Sequence, residues 1–253
     1  MRIISLVAEG LEQAAAAGCL TWLFGQQADV ICLQDTRCSE ASLKGSGFFP
    51  PDYHAYFLDH YENSQLNGVA IYSRVLPKAI TWGFGADPWD AQGRYIQADF
   101  DHISVGSLLV PSALPDKTNK AEKMQFLAAF GAHLRKIRHK RRGFVLCGGW
   151  ELMAHRSDAE DSINLDAAPG VSLEEREWLL DLYDLGYSDA CSQFGGEAAE
   201  FTWWPQGDEA GGLRTDTQII SESLAGAVSS VLTCVDEAFS AHAPIIVDYD
   251  LTL

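Results

Sequence analysis

Short apolar runs alternate along the chain with longer stretches of helical period. Runs rich in Val, Ile and aromatic residues, bounded by Gly, Pro, Asp or Ser, predict strands at 2–7, 30–33, 54–58, 69–73, 80–83, 95–101, 103–109, 143–147, 201–204, 215–220, 227–235 and 243–249. Residues 95–109, broken near Asp101-His102, read as a hairpin. Helical spacing predicts helices over 11–27, 120–140 and 172–185. In the first, Leu11, Ala15, Leu20 and Leu23 fall near one face; in the second, Phe126, Phe130 and Leu134 recur every four residues. The third opens with Ser172 and Glu175, a capping box in which each side chain satisfies the other's free N–H. About a dozen strands and few long helices predict a single α+β domain over residues 1–253, with two packed sheets and helices outside.

Composition narrows the class. Hydrophobic residues make up 47% and charged residues 21%, a globular balance that excludes a disordered chain. No apolar run approaches the ~20 residues that span a bilayer. The opening Met1–Val7 reads as a strand rather than a signal peptide. The expectation is a cytoplasmic protein with no membrane partner. Six cysteines, at 19, 32, 38, 147, 191 and 234, form no CxxC pair, so no zinc knot and no cofactor is expected. Cys32 and Cys147 lie in apolar runs, where a reduced thiol behaves as a small hydrophobe.

Charge complicates the picture. The formal net charge is −17, with 35 acidic residues against 18 basic ones. A uniformly acidic surface repels phosphate, which argues against an independent nucleic-acid binder. The distribution is uneven, however: Arg135, Lys136, Arg138, Lys140, Arg141 and Arg142 supply six of the 18 basic residues. Cations at a helix C-terminus are favoured by the macrodipole, but six exceed what capping requires. These six are the expected RNA- or partner-binding residues.

The chemistry-bearing segments come in a definite order. They include Leu33-Gln34-Asp35-Thr36-Arg37, Gly68-Val69-Ala70-Ile71-Tyr72-Ser73-Arg74, Gly93-Arg94-Tyr95-Ile96, Leu185-Gly186-Tyr187-Ser188-Asp189, Phe201-Thr202-Trp203-Trp204, Arg214-Thr215-Asp216 and His242-Ala243-Pro244-Ile245. Together they resemble the exonuclease III branch of the endonuclease/exonuclease/phosphatase family. That resemblance implies a four-layer α/β sandwich. Active members hydrolyse phosphodiesters with a divalent cation, hard oxygen ligands, a water-activating carboxylate and a positioned His.

On that resemblance, Asp35 stands at a metal-binding acid, Arg94 in the Gly-Arg element, and Asp216 with His242 as the Asp–His pair. Val7, Leu109, Gly149 and Ala241 stand where the family has polar or acidic groups, while Glu9, Asp35 and Glu151 remain as carboxylates for a rebuilt metal site. The expectation is therefore no catalytic site and no metal, with Asp35, Arg94, Asp216 and His242 vestigial. The same losses resemble the catabolite repression control branch. It implies a non-catalytic translational co-repressor that joins Hfq on A-rich mRNA in a ternary complex and binds RNA weakly or not at all alone. One departure is that residues 221–237 contain none of that branch's arginines. The alternative is a residual metal-dependent phosphodiesterase or nuclease of the exonuclease III type.

Overall fold

A computed structural model describes residues 1–113, 120–163, 170–193, 200–205 and 211–253. One sheet contains β1 (Arg2–Val7), β2 (Val30–Gln34), β3 (His54–Asp59), β4 (Gly68–Ser73), β11 (Val228–Thr233) and β12 (Ile245–Tyr249). The other contains β5 (Ala79–Trp82), β6 (Tyr95–Asp99), β7 (Ile103–Leu109), β8 (Gly143–Gly149), β9 (Tyr187–Asp189) and β10 (Asp216–Ser221). Their orders are β11-β12-β1-β2-β4-β3 and β5-β6-β7-β8-β10-β9. Each is antiparallel except for one central parallel pair, β1–β2 and β7–β8.

The two-residue period of the strands sorts their side chains into layers. Ile3, Val30, Cys32 and Ile71 of the first sheet meet Ile96, Val105, Val145 and Cys147 of the second. On the outer face of the first sheet, Ile4, Leu6, Ile31 and Leu33 pack beneath Leu11, Ala14, Leu20 and Leu23. These four belong to α1 (Leu11–Ala16) and α2 (Cys19–Gly25). Across the molecule, Leu108, Phe144, Leu146 and Ile219 pack beneath Phe126, Phe130, Leu134, Leu179 and Leu182, contributed by α3 (Lys120–Ile137) and α4 (Leu173–Asp184). The result is the expected four-layer sandwich. Burial on both faces explains why the central strands read as continuous apolar runs.

Most boundaries agree with the sequence to within a few residues. The capping box is present: Ser172 Oγ accepts from the Glu175 N–H, and the Glu175 carboxylate accepts from the Ser172 N–H at 3.1 Å. Three features differ. The helix expected over 11–27 is broken in two at Gly18, whose φ of 93° no helical residue adopts. Residues 201–204 are not a strand; Trp203 makes only isolated bridges, to Leu213 and His242. The short β9 carried too few apolar residues to register. All six cysteines are free. Among the described residues no helix is long and apolar enough to cross a membrane.

Candidate active site

The strand directions create the site. Because β1 runs parallel to β2, and β7 to β8, each pair releases its chain at one edge of its sheet. Antiparallel β10 begins at Asp216 opposite Gly149, and His242 leads into β12, which pairs with β1. These ends open a cavity of about 520 Å³ lined by Val7, Asp35, Arg37, Arg94, Leu109, Gly149, Glu151, Trp203, Asp216 and His242, among others. Glu9, Asp35, Arg37 and Glu151 have φ of 50°, 53°, 50° and 49°, and all follow the ends of β1, β2 and β8. Left-handed non-glycine residues are uncommon and cluster at functional sites. Here four of the five in the described residues stand at one edge of the sandwich.

The polar side chains are held by one another. His242 Nδ1 lies 2.6 Å from Asp216 Oδ2, and the imidazole stacks on Trp203 at 5.3 Å and 10°. The Asp–His bond fixes the ring so that Nε2 lies on the edge away from Asp216. Asp216 Oδ1 is buried and has no hydrogen-bond partner among the described residues. Asp35 accepts a forked pair of bonds from Arg37, Nε to Oδ1 at 3.1 Å and Nη2 to Oδ2 at 2.6 Å. Burial lowers the Arg37 pKa, but Asp35 and then Glu9 more than offset it. Arg94 donates from Nε to Gln92 at 3.2 Å. Its burial holds the guanidinium pKa down to about 10 despite the nearby Glu122, Asp35 and Glu151.

Two more carboxylates are tied to backbone. Glu9 accepts from the Ala241 N–H at 2.9 Å, and Glu151 from the Ala113 N–H at 2.9 Å. Lys123, fully buried in α3, donates to the Glu151 carbonyl at 2.5 Å and pairs with Glu175 at 2.7 Å. The apolar substitutions form a continuous wall. A Cβ on Gly149 would lie 2.8 Å from Val7 Cγ2 and 3.4 Å from Leu109 Cδ1. No carboxylate fits there without Val7 moving.

Asp35, Arg94, Asp216 and His242, scattered in sequence, therefore share one cavity, while the six basic residues do not reach it. Arg135 and Lys136 lie in the last turn of α3. Residues 138–142 line a second cavity of about 620 Å³ with Leu185, Tyr187 and Glu222. Arg138 donates to the Leu185 carbonyl at 3.3 Å. Arg142 donates to the Phe100 carbonyl and lies 3.5 Å from Asp99. Two of the six cations thus stabilise the fold. Sequence reasoning gave no role to Arg37, although it stands two residues after Asp35 at a strand end. It also missed the stacking of Trp203 on His242, which has no sequence signature.

Residues 9–240 match the Endonuclease/Exonuclease/phosphatase family. The chain belongs to this family. It is 26% identical to the DNA repair nuclease APEX1 of Danio rerio over 88% of this chain and 74% of that protein. It is 24% identical to the exodeoxyribonuclease of Bacillus subtilis over 97% of this chain and 98% of that protein. An AP endonuclease from Archaeoglobus fulgidus superposes with a TM-score of 0.87 at 20% identity, covering 99% of this chain and 100% of that one. A 3'-5' exonuclease from Neisseria meningitidis superposes equally well, 0.87 at 24% identity over the same shares. These relatives are nucleases, and they overturn two linked expectations: a protein without enzymatic activity, and a catabolite-repression regulator acting with Hfq. Physically, the expectation equated substitution at Val7, Leu109, Gly149 and Ala241 with loss of function. Yet the Asp216–His242 pair and both guanidinium groups still converge on an open cavity.

A divalent cation, implied by the family, is poorly matched by this donor set. Both Asp35 oxygens are engaged by Arg37, and Glu9 and Glu151 each accept a backbone N–H. Among the described residues no three His, Cys, Asp or Glu side chains converge as ligands. Calcium takes six to eight oxygen ligands, and magnesium is usually held by one or two carboxylates together with waters and phosphate oxygens. Glu9, Asp35 and Glu151, the carboxylates left open for a rebuilt metal site, do not converge as a ligand group among the described residues.

Proposed function

We propose that this chain is a phosphate-ester hydrolase acting on DNA, at abasic sites or at 3' ends, as the names of its relatives describe for them. The observation that carries the reading is the Asp216–His242 pair, 2.6 Å apart, on the wall of a cavity that also presents Arg94 and Arg37. Water attacks phosphorus while the bond from phosphorus to the leaving oxygen breaks. The water's proton passes to His242 Nε2, and the leaving oxygen takes a proton from solvent. Asp216, bonded to Nδ1, stabilises the imidazolium that forms. Arg94 and Arg37 face the charge that grows on the phosphoryl oxygens. The Trp203 face keeps the imidazole from rotating away from this position.

The test is turnover of end-labelled duplexes carrying an abasic site, a blunt end or a 3'-phosphate, each with magnesium, with manganese and with excess EDTA. Cleavage of at least one, lost in His242→Ala, is the expected result. Absence of turnover on all three duplexes in all three conditions overturns the proposal.

A further inference from the structure

We infer that Arg37 is the built-in cation of this cavity, so that a phosphate ester binds between Arg37 and Arg94 with no divalent metal. The inference rests on the hydrolase reading and names how that site recognises its ligand. Arg37 is placed as a bound cation would be: two donors grip Asp35 at 3.1 and 2.6 Å, and Glu9 adds its charge from nearby. Left-handed backbone at Asp35 and again at Arg37, with φ of 53° and 50°, flanks Thr36 and holds the fork in position. Such backbone persists only where its surroundings enforce it. The side chain keeps 35% of its surface exposed. Nη1 makes no hydrogen bond to a described residue, so one edge of the guanidinium is committed to Asp35 and the other remains available.

The two guanidinium groups face the cavity among carboxylates: Glu9 and Glu151 each accept a backbone N–H, and Glu122 lies near Arg94. The Asp35 charge is cancelled by Arg37, and that of Asp216 is directed at His242. Arg94 is 8% exposed and forms none of the ion pairs among the described residues. A desolvated guanidinium binds a phosphate oxygen by charge-assisted hydrogen bonds and offers a planar fork that matches it. The Gly149–Val7–Leu109 wall leaves no room for a carboxylate at position 149.

Anisotropy of a fluorescein-labelled duplex containing a tetrahydrofuran abasic analogue tests this, in excess EDTA and in millimolar magnesium. Wild-type affinity is expected to agree within twofold between the two conditions. Arg37→Ala is expected to lose at least tenfold in EDTA and to regain most of it with magnesium, because Asp35 and Glu9 are then free to hold the ion. Arg37→Lys keeps the charge without the fork and falls between. Strict magnesium dependence of wild-type binding overturns the inference, as does unchanged binding by Arg37→Ala in EDTA. The wild-type comparison needs no variant, so misfolding of Arg37→Ala leaves it decisive. Binding that resists EDTA without turnover in any condition sinks the hydrolase reading alone. Turnover with metal-dependent binding sinks this inference alone.

Discussion

The two ends of β8 both carry dense charge, and they differ in how that charge is held. At Gly149 the chain leaves the sheet among Asp35, Arg37, Arg94, Asp216 and His242, which bond to one another or are buried. At Gly143, about 20 Å away by the rise of a strand, it enters from the basic run 138–142, whose members point to carbonyls or to solvent. The first end is assembled from five separate regions of the chain, the second largely from one. Charge density read along the sequence picks out the second end. Convergence in space picks out the first, and desolvation makes its electrostatics count.

Breaking the first end should have the largest effect. His242→Ala is expected to lower kcat/KM on the preferred duplex by about 10²–10⁴, and to lower the urea midpoint as well, because buried Asp216 loses its partner. A loss below tenfold would remove His242 from the chemistry. Next comes Lys123, which joins α3 and α4 to the loop bearing Glu151. Lys123→Met leaves Glu175 buried and unpaired, and should cost about 3–5 kcal/mol by urea unfolding. The double change with Glu175→Leu should recover most of it. Failure to recover would show that the lysine acts through the Glu151 carbonyl instead.

The same pair sets a pH dependence. Burial pushes the Glu175 carboxyl up, but Lys123 and the Ser172 hydrogen bonds outweigh it, leaving the folded pKa below the ordinary value. Protons then bind the unfolded chain more readily, so the stabilisation is fully present above about pH 4.3 and is lost as pH falls through the lower folded value. Urea midpoints measured from pH 6 to pH 3 should fall at the acid end, and Glu175→Gln should flatten that fall.

Gly149→Ala sharpens the comparison at intermediate size. Its Cβ meets Val7 at 2.8 Å, and such overpacking costs about 1–3 kcal/mol. Adding Val7→Ala should relieve it, whereas an unchanged cost would mean that the strand backbone is the obstacle. The smallest effects belong to the basic end. Arg142→Ala should cost about 1 kcal/mol through its bond to the Phe100 carbonyl. Arg141→Ala should leave the urea midpoint unmoved. Equal effects at the two positions would erase the distinction drawn between fold-holding and solvated cations.

The sequence by itself determined the layers. Strands of period two, buried on both faces, and helices of Phe126-Phe130-Leu134 type can cover one another in few ways, because apolar surface must leave water. By resemblance to the family, the sequence's motifs also singled out Asp35, Arg94, Asp216 and His242, though as vestigial. Only the tertiary structure decided what those residues do together. The breaks in φ at Glu9, Asp35, Arg37 and Glu151 depend on the loops that surround them, not on their residue types. The stacking of Trp203 on His242, the fork of Arg37 on Asp35 and the closing of the Gly149 position by Val7 join residues distant along the chain or turned by strained backbone. Missing motif letters therefore suggested an absent site. The strand ends instead assemble a cavity in which the Arg37 guanidinium grips the Asp35 carboxylate.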